Sequence, residues 1–219
     1  MRKSHIIVMV AGALIGALAS SPAAAVTTSH LNIRGTSVNL DVSALLPGEQ
    51  SGCQLDTFIV LEAATSVEHV GSNKGTSSGA QGFVQMIDTC TGAFAFGSFD
   101  APLGNGFAIG PHTATLNASI VVSMVQFDPD FNVVGTVDRT LVATGLRFDA
   151  IQSESFVAKS HSRLTGPNFI TLSNGQSNES PANVSGGLSL DGTPILSQPT
   201  AGVSGTFQTG TSISKSITR

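Results

Sequence analysis

Four groups of residues in this chain have the types and spacing that could do chemistry. Cys53 and Cys90 are its two cysteines. Each could be a nucleophile, a metal ligand or half of a disulfide. A nucleophilic thiol needs a nearby base and a lowered pKa, and sequence alone does not bring His69 or His112 to Cys90. A zinc site needs four ligands, usually in close Cys/His pairs, and the chain has no such pairs. Gly75-Thr76-Ser77-Ser78-Gly79 fits the G-x-S-x-G pattern of serine hydrolases. That chemistry requires a strand before the serine and a helix after it, whereas here the surroundings are Ser and Gly. Asp128, Asp130 and Asn132 form D-x-D-x-N, the opening of a calcium loop. Val133 stands where such a loop needs Gly, and Arg139 where it needs Glu, so a hairpin turn accounts for the same residues. Lys159, His161 and Arg163 alternate within "VAKSHSRL" and would form a cationic stripe on one strand face. Such a stripe can hold an anion or a partner, or simply keep an outer face polar.

Other patterns carry less. Gly104 to Gly110 is G-x-G-x-x-x-G, which lacks dinucleotide spacing and reads as a loop. His30 and His112 have no neighbours that suggest chemistry, and Asn117, Asn178 and Asn183 open N-x-S/T triplets that matter only in a glycosylating host. Asp56, Glu62 and Asp88 are scattered carboxylates that could serve a hydrolase whose active site leaves no motif. No cofactor is implied.

The compartment decides between the readings of the cysteines. Arg2 and Lys3 precede an apolar run from Ile6 to Leu18, and Ala23-Ala24-Ala25 closes it. A basic start, a short apolar stretch and a small-residue site compose a secretory signal peptide. Residues 1–25 are expected to be removed after Ala25, leaving 26–219 as one domain outside the cytoplasm, secreted or periplasmic. The run is too short for a permanent bilayer span, which takes about 20 apolar residues. In that oxidising setting a Cys53–Cys90 disulfide is the expected state. Losing Arg2 and Lys3 leaves eight basic against 14 acidic side chains, a net charge of −6. Such a balance argues against nucleic acid, whose binding depends on neutralising phosphates.

The elements that must position these residues follow a period of two. In "TATLNASIVVSM", residues 113–124, Ala114, Leu116, Ala118, Ile120, Val122 and Met124 share one face, with Val121 the exception on the other. "FDPDFN" is a turn, and alternation resumes from Val133, so 113–127 and 133–144 form a hairpin. "GFVQMID", "DTCTG" and "AFAFGSF" repeat that plan. In 31–43 the apolar phase switches around Gly35, which predicts a bulge or turn there. "QLDTFIVLEA" is apolar on both faces and reads as a central strand. The stretches 71–82 and 173–183 are loops by composition. The fold class is therefore all-β, an antiparallel β-sandwich, with a barrel-like closure or two packed hairpin repeats as alternatives. With no Trp or Tyr, the ring stacking typical of sugar-binding modules has no obvious donor.

"SGCQLDTFIVLEA", "FVQMIDTCTGAFAFGSF", "HTATLNASIVV" and "LVATG" resemble a set of uncharacterised secreted bacterial β-rich proteins. These carry a G-C strand, a strand ending in D-x-C-T, an S/T-A-T-L-N-A-S/T strand and a hairpin ending near T-G. Gly52-Cys53, Asp88 to Thr91 and Thr113 to Ser119 fill the pattern here, over roughly residues 50–217. A Trp associated with the pattern near Val142 to Gly145 is missing. The resemblance implies a secreted β protein whose two cysteines belong to the pattern, and it brings no activity. The expected role is non-enzymatic: a surface or matrix component, or a binding module. A secreted hydrolase is the alternative.

Overall fold

The computed structural model describes residues 27–48, 50–70 and 72–218; the expected signal peptide and its expected cleavage point lie outside them. Strands account for nearly all regular structure: β1 Thr27–Pro47, β2 Gln54–Val70, β3 Asn73–Asp88, β4 Phe94–Pro102, β5 Phe107–Ile109, β6 Thr113–Phe127, β7 Val133–Ala150, β8 Phe156–Gly166, β9 Phe169–Leu190, β10 Thr193–Pro194 and β11 Gly202–Thr218. The all-β, antiparallel expectation holds. Hydrogen-bonded neighbours run β10–β9–β11–β1–β2–β3–β4–β6–β5, while β7 pairs with both β6 and β9, and β8 pairs with β9.

Alternation builds one core. Val38, Leu40, Val42, Ala44 and Leu46 enter it from β1, Ile59, Leu61 and Ala63 from β2, and Val84 and Met86 from β3. Ala114, Leu116, Ile120, Val122 and Met124 of β6 meet Leu141, Leu146 and Phe148 of β7. Removing each large aliphatic side chain from water stabilises the fold by about 2 kcal/mol. Val121, the odd residue of its strand, is exposed as expected. Phe58, Phe83 and Phe96 instead meet as tilted pairs on the outer surface, with centroids 5.5–5.8 Å apart.

Close approach demands glycine in two places. At Gly97 a Cβ would sit 2.5 Å from the Ser123 carbonyl oxygen, where β4 crosses β6. At the β7–β9 irregularity between Thr144 and Arg147, Gly186 has φ +101° and lies against the Gly145 carbonyl.

Three sequence expectations change. Gly35 is neither bulge nor turn: β1 pairs without a shift with β11 and with β2 through this residue. The apolar phase switches because Leu31 and Ile33 belong to the opposite face of the same straight strand. Of the stretch 71–82, residues 73–82 are not loop but part of β3, and 173–183 lies wholly within β9. Ser, Gly and Asn are poor strand formers in isolation, but here every such residue has a paired neighbour. Serine and threonine hydroxyls add cross-strand bonds, at 2.6 Å for Ser173–Ser214 and 3.1 Å for Thr171–Ser216.

Cys53 and Cys90 are joined, with Cα atoms 5.6 Å apart. The bond ties the β1–β2 turn to the β3–β4 turn and closes a segment of 37 residues. Chain entropy then assigns it about 4 kcal/mol. Replacing both cysteines by serine is expected to lower the unfolding free energy by about that amount in denaturant titrations; an unchanged midpoint would contradict this.

Candidate functional site

The long strands continue beyond the core as an open sheet in the order β8–β9–β11–β1–β2–β3. In antiparallel pairs, residues directly opposite each other face the same side. The registers therefore define rows across the sheet. One runs Lys159, Gln176, Thr211, Arg34, Val67, Thr76. The next runs His161, Asn174, Ile213, Asn32, His69, Lys74, and a third Arg163, Leu172, Lys215, His30. All three lie on the face that continues the core: Arg34 is in phase with Val38, and Gln176 with the buried Ser180.

This gathers five of the eight Lys and Arg side chains beyond residue 25 on one surface, with three histidines. All eight cationic or imidazole side chains are exposed. The same rows contain no Asp or Glu. Glu68 and Glu179 belong to these strands but point to the opposite face, paired in register with Ile33 and Gln208. Arg139 and Arg147 form ion pairs elsewhere, with Asp191 at 3.0 Å and Asp149 at 2.7 Å. Among the described residues, Arg34, Lys74, Lys159, Arg163 and Lys215 make no ion pair.

Lys159, His161 and Arg163 thus belong to a larger set of residues. Lys159, His161 and Arg163 share one face of β8, spread over about 13 Å of strand. Lys215 lies two strands from Arg163, about 10 Å away, and Arg34 three strands from Lys159, about 14 Å away. Lys159, His161, Asn174, Gln176, Thr211 and Ile213 line an open depression of about 400 Å³. The side-chain Oδ1 of Asn32, in the middle row, is covered and has no hydrogen-bond partner among the described residues. Sequence reading missed Arg34, Lys74, Lys215, His30 and His69. Their signal was parity: each is in phase with the core residues of its own strand.

The other candidates are arranged differently. Ser77 lies inside β3, on the reverse face, with its hydroxyl 2.9 Å from that of Ser66. No strand–helix elbow surrounds it. Asp56 and Asp88 pair in register with Ile87 and Leu55 respectively, so they face opposite sides, and Glu62 accepts a bond from the Gln81 amide at 2.8 Å. The sulfurs near Asp88 are bonded to each other and unavailable to a metal.

Asp128 turns its carboxylate to N–H groups. It accepts from the backbone of Asp130 at 3.0 Å and of Asn132 at 2.9 Å, and from the Asn132 side chain at 3.0 Å. The Asn132 amide thus directs a donor, not an oxygen, at the place a cation would occupy. These bonds, led by the Asn132 side chain, hold the Asp128 pKa below its ordinary value. Asp88 is lowered in the same way, by the backbone N–H of Thr91 and then of Cys90. The two turns share a grammar: an aspartate that caps the hairpin reversal.

No protein-family model matches the chain, and neither the curated proteins nor the solved structures yield a match.

The turn carboxylates set a pH dependence. A carboxyl with a lowered folded-state pKa stabilises the fold above its unfolded value, near 3.9, and the contribution is lost as pH falls through the folded value. Asp41 acts oppositely, because partial burial raises its pKa. Replacing Asp88 and Asp128 by alanine is expected to lower the melting temperature at neutral pH and to flatten its decline below about pH 4. An acid limb as steep as that of the unaltered protein would refute the assignment.

Proposed function

We propose that the chain is an exported, non-enzymatic binding protein of the cell surface or its surroundings, and that the basic sheet face takes an anionic partner. The observation that carries this reading is charge segregation. A chain with net charge −6 beyond residue 25 places five Lys and Arg side chains on one face, with no ion pair among the described residues, in three rows that hold no Asp or Glu. Arg139 and Arg147 show the alternative arrangement, in which an arginine sits beside an aspartate. Cations on a surface without counter-charge raise the local potential and concentrate anions there.

Export is supported by the leader sequence and agrees with the Cys53–Cys90 bond. Among the described residues, no helix is long and apolar enough to cross a membrane. A binding role suits the site: an open sheet face with amide, hydroxyl and cationic donors and no nucleophile–base contact at the depression.

Ion-exchange behaviour tests the face directly. At neutral pH and low ionic strength the protein should be retained on a sulfonated cation-exchange surface despite its net negative charge. It should be released as salt shortens the screening length from about 10 Å at 0.1 M toward 3 Å at 1 M. Lys159→Ala with Arg163→Ala should elute markedly earlier. Passage of the unaltered protein straight through the column would overturn the reading.

A further inference from the structure

We propose that the anionic partner of the basic face is an acidic polysaccharide, a carboxylated sugar polymer lying across the strands β8–β9–β11–β1. This rests on the anionic-partner reading above and narrows it to one chemical class.

The spacing of charge comes first. Full cations on this face are separated by roughly 10–14 Å: Arg163 to Lys215, Lys159 to Arg163, and Lys159 to Arg34. A nucleic acid strand carries a phosphate about every 3.4 Å, so most of its charges would find no partner here. Apart from imidazoles, the three rows also present no aromatic ring on which bases could stack. A sugar polymer whose carboxylates recur on every second ring is matched by sparse cations.

The groups between the cations come second. Gln176 and Thr211 separate Lys159 from Arg34, and Asn174 follows His161 in the next row. Amides and hydroxyls both donate and accept, which suits the hydroxyls of a sugar between its charged groups. Four of these residues (His161, Asn174, Gln176 and Thr211) line the same depression as Lys159. The missing Trp and Tyr weigh against neutral sugars, which depend on ring stacking. They do not weigh against a sugar held by charge and hydrogen bonds.

An acidic peptide would use different features. An extended peptide gains most from main-chain bonds to an open sheet edge, and the open edges among the described residues are the backbone of β8, which pairs only with β9, and of Asn73 to Ser77 in β3, which pair only with β2. The cations instead sit on the flat of the sheet, reaching from β8 to Arg34 on β1 and Lys74 on β3. Binding on the flat needs a ligand that makes its contacts through side groups.

The exported protein is tested on immobilised hyaluronate, in which an acidic sugar alternates with a neutral one, and on neutral dextran, single-stranded DNA and polyglutamate, in calcium-free buffer so that no cation bridges acid to acid. Hyaluronate should bind more tightly than the other three. Lys159→Ser with Arg163→Ser and Lys215→Ser should weaken it roughly tenfold or more, with unchanged circular dichroism. If the triple variant misfolds, Lys159→Glu alone provides the comparison. Tighter binding of DNA or polyglutamate would overturn the polysaccharide assignment and leave the anionic-partner reading standing. Retention on dextran equal to hyaluronate would refute the role of charge, and binding that survives the substitutions would refute the location. No binding to any of the three polyanions would remove both proposals.

Discussion

An unbroken register is the constraint on which the rest depends. β1 pairs with β11 from Thr27 to Ser43 and with β2 from Leu31 to Pro47, one residue against one residue throughout. β9 with β11, β2 with β3 and β8 with β9 pair equally regularly. In such ladders a side chain's face is set by whether its number is odd or even. Val38 and Arg34 must therefore lie on the same side, four residues apart, one in a dry core and the other in water. A single inserted residue near Gly35 would move Arg34, Asn32 and His30 to the reverse face and Leu31 and Ile33 to theirs.

The change of environment along each strand explains how one surface can be oily at one end and cationic at the other. Burying an unpaired Lys or Arg is costly, so these residues are confined to the part of the sheet that extends past its packing partners. There the sheet relies on complete backbone pairing and on short hydroxyl bonds such as Ser173–Ser214 and Ser66–Ser77. The acidic side chains of the same strands face the other way, and the thickness of the sheet keeps them from neutralising the cations. Like charges on β8 have a second effect. Pairing of that free edge with the same edge of another copy would bring cations together, which discourages edge-to-edge association.

Much of this was legible in the sequence, for physical reasons. Alternation located the 113–127 and 133–144 hairpin, and the oxidising compartment expected from residues 1–25 pointed to the Cys53–Cys90 pair. The Asp88 and Asp128 turns were visible because an aspartate ahead of N–H groups is a local matter. The strands at 73–80 and 173–180 were hidden because Ser, Gly and Asn carry turn propensity, and only partners far along the chain make them extended. The cationic face was hidden for the same reason. Lys159, His161 and Arg163 are neighbours in sequence and could be grouped, but Arg34, Lys74 and Lys215 join them through pairings spanning most of the chain. The switch of apolar phase at Gly35 disguised the continuity of β1, since Leu31 and Ile33 drew attention to the wrong face.

Backbone amide hydrogen exchange along β1 tests that continuity most directly. In the middle of the extension β1 is bonded to β11 on one side and β2 on the other. Amides from Asn32 to Thr36 should therefore exchange far more slowly than those of an unstructured chain, with protection continuing without a break into Val38 to Leu46. Free exchange on the N-terminal side of Gly35, beside a protected core half, would show that the strand stops there and that the basic face does not exist as described.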